Sequence, residues 1–71
     1  MNVVDFLRAF VRDDTFVNVA VHDTSGILLV TYVSGYANRD ALIGLLNTDM
    51  RVIDAYADDG RLIINVVREG D

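Results

Sequence analysis

Apolar residues recur at helical spacing near the start of the chain. Val3, Phe6, Leu7, Phe10 and Val11 fall on one side, and Arg8 and Arg12 on the other. Asn2 stands where a helix cap is needed, and Asp5 lies near the positive end of the helix dipole. This pattern predicts a helix from Val3 to about Arg12, ended by Asp13-Asp14. The period then changes to two. Val17, Val19 and Val21 alternate with Asn18, Ala20 and His22, which predicts a half-buried strand over Phe16–His22. Asp23-Thr24-Ser25-Gly26 has turn chemistry. The run Ile27–Val33 is apolar almost throughout and is expected to be a central strand covered on both sides. Ser34-Gly35-Tyr36-Ala37 reads as a short linker. Asn38 then caps a second helix, with Asp40 in its first turn and Ala41, Leu42, Leu45 and Leu46 on its apolar side. Gly44 lies inside it at a cost of roughly 1 kcal/mol against Ala, and suggests close packing on a sheet.

The clearest signal is the stretch from Asp49 to Val67. Two runs rich in Val, Ile and Tyr flank Asp58-Asp59-Gly60. An Asp-Gly pair between such runs marks a hairpin, because its tight turn needs positive φ. The halves of the chain, about 2–33 and 37–67, resemble each other. An offset of 35 aligns Asp5 with Asp40, Leu7 with Leu42 and Asp23 with Asp58, and a one-residue shift aligns Gly26 with Gly60. Duplication and convergence on shared turn and core residues both account for this. The expected fold is α+β in a single domain: helix–strand–strand twice, giving a four-stranded, mainly antiparallel sheet with two helices.

Composition narrows the function. Seventy-one residues form one small core, with no cysteine for a disulfide or a thiolate metal site. Hydrophobic residues make up 52% of the chain, more than a small sphere hides, so either both faces of a sheet are covered or some apolar surface is left for a partner. The net charge is −5, from ten Asp and one Glu against six Arg and no Lys. This argues against direct nucleic-acid binding and against an anionic membrane surface. No apolar run is long enough to span a membrane, and the start lacks the basic region of a secretory signal, so a cytoplasmic protein is expected.

Catalytic chemistry is not expected. His22, Asp23 and Ser25 are neighbours around one turn and cannot present a nucleophile, a base and an oxyanion site together. Asp58-Asp59-Gly60 lacks the spacing of a calcium loop, and the glycines stand alone rather than in a phosphate loop. No metal and no cofactor are expected.

Binding is the better expectation, and two surfaces suggest it. If each helix runs antiparallel to the strand after it, Asp5, Asp40, Asp23, Asp58 and Asp59 gather at one end of the domain. Asp13, Asp14, Asp49, Glu69 and Asp71 gather at the other, with Asp54 mid-strand. Such carboxylates imitate a nucleic-acid backbone, which carries a charge about every 1.7 Å in duplex DNA. The second surface is the sheet face turned from the helices. If Ile53, Ala55, Leu62, Ile64 and Val66 face inward, then Val52, Asp54, Tyr56, Arg61, Ile63, Asn65 and Val67 face out. Tyr and Arg on such a face are common interface anchors. An ordinary solvated face with an Asp54–Arg61 pair is the plainer reading. A homodimer through this face is a further one.

Val3–Leu7, the Asp-Asp-Thr lead at Asp13–Thr15, the turn at Thr24–Gly26 and the hairpin over Val52–Ile64 resemble small acidic proteins of bacteriophages and prophages. That class includes anti-CRISPR inhibitors, several of which occupy the DNA-binding surface of a CRISPR effector. The resemblance implies a non-enzymatic inhibitor in the host bacterial cytoplasm, bound as monomer or homodimer to a basic, nucleic-acid-binding host protein. On the acidic-end reading Asp23, Asp58 and Asp59 would make contact, with Asp5 and Asp40 beside them, and the outer-face reading adds Asp54 and Tyr56. Two alternatives stand: an oligomer that sequesters a nucleotide signal, with Arg61 and Tyr56 lining a pocket, and a virion or assembly component.

Overall fold

A computed structural model describes residues 1–13, 15–26 and 28–68. The order of elements is α1 (Val3–Phe10), β1 (Phe16–Asp23), β2 (Val30–Asn38), α2 (Arg39–Leu45), β3 (Met50–Asp58) and β4 (Arg61–Arg68). The fold is α+β, helix–strand–strand twice. The strands form one sheet in the order β2-β1-β4-β3. Both hairpins are antiparallel, and β1 and β4 join them as a parallel central pair.

Capping sets both helix starts. The Asn2 side chain accepts from the Asp5 amide at 2.8 Å, and that of Asn38 from the Asp40 amide at 3.0 Å. α1 stops at Phe10, two residues short of Arg12, because Val11 turns to extended backbone (φ −116°) and packs against the core. Val3, Val4 and Leu7 of α1 and Leu42 and Leu46 of α2 close over Val19, Val21, Ile64 and Val66, with Met50 beside them. Both helices therefore cover the same sheet face. Phe10 and Leu45, expected on the apolar stripes, are exposed, and Phe10 rests against Phe6 with ring centroids 5.1 Å apart. Gly44 has open space around its Cα, so close packing is not its role.

The Asp-Gly hairpin forms as its residues dictate. Asp58 pairs with Arg61, leaving Asp59 (φ 54°) and Gly60 (φ 75°) as a two-residue loop with both residues left-handed. The first hairpin departs from expectation. β2 is an edge strand rather than a central one, and it begins at Val30. Leu28 and Leu29 lie before it, exposed, and Ile27 falls outside the described residues. The linker-like Ser34–Ala37 belongs to the strand. Apolar character records a preference for burial, while strand order is decided by pairing, and here the parallel β1–β4 contact takes the centre.

Each edge strand carries one bulge. Tyr32 is the extra residue in β2 and Ile53 the extra residue in β3. The second bulge reverses two expected directions: Val52 packs against the core, and Ile53 is 47% exposed. The halves also occupy unlike places, since the central strands are the first of one half and the second of the other.

Candidate functional site

The parallel β1–β4 pair decides where the carboxylates go. The turn after β1 and the turn before β4 must lie at opposite ends of the sheet. Asp23 and the Asp58–Asp59 pair are therefore separated, and the expected gathering of five acids at one end does not occur. One end holds Asp58 and Asp59 with Asp13 and Asp40, which flank the start of α2. The other holds Asp23 and Asp49, with Asp5 in the first turn of α1 beside the start of β3. Asp14, Glu69 and Asp71 fall outside the described residues.

The acids also differ in availability. Asp23 is buried at 8% exposure. Its Oδ1 accepts the Ser25 amide at 2.8 Å and the Ser25 hydroxyl, and its Oδ2 accepts the Tyr32 hydroxyl at 3.0 Å. These bonds and the Arg68 guanidinium hold its pKa below the ordinary carboxylate value, the Ser25 hydroxyl contributing most. Asp23 is thus a latch on the first hairpin and presents no free charge. Arg39 takes up Asp13 and Asp40, and its Nη1 donates to the Val11 carbonyl at 3.2 Å. Asp54 lies opposite Asn65, whose amide donates to it at 2.7 Å; the expected Asp54–Arg61 pair is absent because the two-residue loop sets Arg61 opposite Asp58, four residues along β3 from Asp54. Among the described residues Asp5, Asp58 and Asp59 form no ion pair, and they are exposed.

The sheet face away from the helices is the larger surface. Paired residues share a face, so the register assigns it. Ser34, Ala20, Ile63 and Tyr56 make one row across four strands, and Thr31, His22, Asn65 and Asp54 make the next. Ala20 and Ile63 are nearly inaccessible, at 1% and 3% exposure, and form an apolar floor. Around it Tyr56, Tyr36, Phe16 and Ile53 stand 47–77% exposed. The row from Ser34 to Tyr56 spans three strand spacings, about 14 Å. Among the described residues no element covers this face. Tyr56 and Arg61 were legible as part of it. Tyr36 was missed because Gly35 (φ 119°) interrupts the alternation that would have carried β2 past Val33, and Phe16, although inside the expected first strand, was missed because the outer face was assigned from the second hairpin alone.

An open cleft of about 450 Å³ lies elsewhere, at the end of α1, lined by Arg8, Phe10, Arg12, Asp13 and Arg39. Its positive charge is offset by Asp13, by Asp40 bound to Arg39 and by the negative helix end. Tyr56 and Arg61 are not part of it. Among the described residues no three His, Cys, Asp or Glu side chains are placed to hold a metal ion. None of the described helices is long and apolar enough to cross a membrane.

No protein-family model, curated protein or solved structure matches the chain.

Proposed function

We propose that this protein is a non-enzymatic binding protein that docks on a basic protein surface through the uncovered face of its sheet. The observation that carries the reading is the apolar floor of Ala20 and Ile63, ringed by exposed Tyr36, Tyr56, Phe16 and Ile53. Exposed aromatic side chains around a dry centre are the usual composition of an interface that carries binding energy. The acids supply direction rather than anchorage. Asp58 and Asp59 sit at one end of this face and Asp5 at the far end of the domain, and a net charge of −5 steers the molecule toward positive partners.

The partner class that fits such a charge is a nucleic-acid-binding groove. The resemblance to small phage proteins points to a host defence complex of the CRISPR type as the target, and so to an inhibitor. Asp23 leaves the contact set because its oxygens are occupied.

The test is capture from a CRISPR-containing bacterial lysate by the tagged wild type and by Tyr36→Ala/Tyr56→Ala, with the captured protein identified. A nucleic-acid-binding protein held by the wild type, released as salt rises and lost with the double substitution, supports the reading. Capture indifferent to the substitutions, or of no nucleic-acid-binding protein, overturns it.

A further inference from the structure

We infer that the free edge of β2 is a self-association seam. Two copies pair β2 against β2, antiparallel about a two-fold axis, and their sheets join into one.

The two edges of the sheet are built differently. β3 carries Arg51, Asp54 and Asp58 and is bulged at Ile53. The start of the chain also covers part of it: Asn2 bridges to Arg51, and the Val52 amide donates to the Met1 carbonyl at 2.9 Å. Charges, bulges and covering segments are the devices that keep an edge from recruiting another strand. β2 has one of the three, the bulge at Tyr32, and no charged residue along Val30–Asn38. Past the bulge its register with β1 is unbroken from Val33 to Asn38, bent at Gly35 but not interrupted. Among the described residues nothing pairs with its outer side.

The exposed apolar groups choose the occupant. Leu28, Leu29 and Val30 lead into β2 at 80%, 59% and 47% exposure. Near its other end stand Tyr36 at 77% and Phe16 at 69%, the latter opposite Asn38. An antiparallel copy sets the start of one β2 against the end of the other. Val30 lies opposite Asp23 and so faces the helix side; it is the exposed Leu28 and Leu29 of each chain that come to the Tyr36–Phe16 end of its partner, and the two-fold axis makes that match twice. A foreign strand would have to supply both ends of the match itself. β2 itself brings no charged side chain to the seam. The seam draws on Tyr36 and Phe16 of the proposed docking face, and such pairing would also double that face; Thr31→Lys/Ser34→Lys leaves both aromatic residues in place.

Sedimentation velocity of the full chain from micromolar to near-millimolar concentration tests this. The expected result is a concentration-dependent species of twice the 7.9 kDa chain mass. Thr31→Lys/Ser34→Lys sets like charges along β2, and its dimer dissociation constant should rise at least about tenfold. Ala57→Lys, exposed on β3, should leave association unchanged. Hydrogen exchange on the wild type gives a readout that needs no variant: β2 amides should gain protection with concentration while β3 amides do not. A monomer at every concentration, a dimer indifferent to the β2 lysines, or a dimer broken by Ala57→Lys overturns the inference.

Discussion

The Tyr32 hydroxyl donates to Asp23 Oδ2 at 3.0 Å, and this bond ties the bulge of β2 to the last residue of β1. Tyr32 is the extra residue of the bulge, so its side chain is free of the ladder's alternation and turns inward against the core. Asp23 meanwhile holds the Ser25 amide and hydroxyl, and the Thr24 amide and hydroxyl bond the Val66 carbonyl at 2.8 and 3.0 Å. One carboxylate thus fixes where β1 ends, how the loop leaves it and where the edge strand begins.

This cluster gives stability a definite dependence on pH. The Asp23 pKa lies below its ordinary 3.8, chiefly through the Ser25 hydroxyl. A depressed carboxylate contributes stability that is complete above the unfolded value and is lost as pH falls through the folded one. The Tyr32 pKa lies above its ordinary 10.0, through burial first and then Asp23. That contribution is complete below 10.0 and is lost as pH rises through the folded value. Urea midpoints measured across pH should therefore fall off at both ends. Tyr32→Phe should cost about 1 kcal/mol at neutral pH and remove Tyr32's share of the alkaline decline. An alkaline limb unchanged in Tyr32→Phe would show that another group sets it.

Two glycines should respond with opposite signs. Gly60 sits at φ 75° in the hairpin loop with open space around it, so Gly60→Ala meets only backbone strain and should cost about 1 kcal/mol. Gly44 lies in exposed α2 with equally open space and no such φ, so Gly44→Ala should gain up to about 1 kcal/mol. For a domain of this size, thermal melts should shift by about 4–8 °C per kcal/mol, in opposite directions. Like signs would mean that packing rather than backbone conformation governs one of the sites.

What the sequence disclosed follows the range of the interaction. Asn2, Asn38 and Asp59-Gly60 act over a few residues, and each stands where local chemistry placed it. The β1–β4 pairing joins residues about forty positions apart, and no local pattern announces it. From that one gap came the misplacement of β2 and the false gathering of the carboxylates. Val52 and Ile53 exchanged faces for a related reason, since a bulge changes strand parity without leaving a mark in two adjacent β-branched residues. Tyr56 was legible because an unbroken alternation led to it, whereas Tyr36 lay behind Gly35.

Leu7 tests how far the small core depends on one side chain. It is fully buried, in the core that α1 and α2 close over the sheet. A chain of this length has a stability of about 5 kcal/mol. Leu7→Ala should cost about 2–5 kcal/mol, enough to leave a large unfolded fraction at 37 °C. Leu45→Ala, at 69% exposure, should stay within about 0.5 kcal/mol of wild type. Comparable losses at both positions in urea titrations would place Leu45 in a contact that the monomer lacks.

Arg39 is the electrostatic counterpart of that core residue. Its side chain is 12% exposed, and it reaches Asp13, Asp40 and the Val11 carbonyl at once. It thereby fastens the end of α1 to the start of α2, while its own amide bonds the Thr15 carbonyl at 3.0 Å. The two carboxylates are more than half exposed, at 76% and 56%, so water screens much of each pair. The carbonyl bond and the packed stem are the sheltered part. Arg39→Ala should therefore cost about 1–2 kcal/mol, and Asp13→Asn no more than about 0.5. Arg39→Lys keeps the charge but not the fork that serves several acceptors at once, so it should fall closer to Ala than to wild type. High salt should narrow the gap between wild type and Asp13→Asn and leave most of the Arg39→Ala loss in place. If high salt instead erased that loss, surface ion pairing alone would account for Arg39, and the carbonyl bond would contribute nothing.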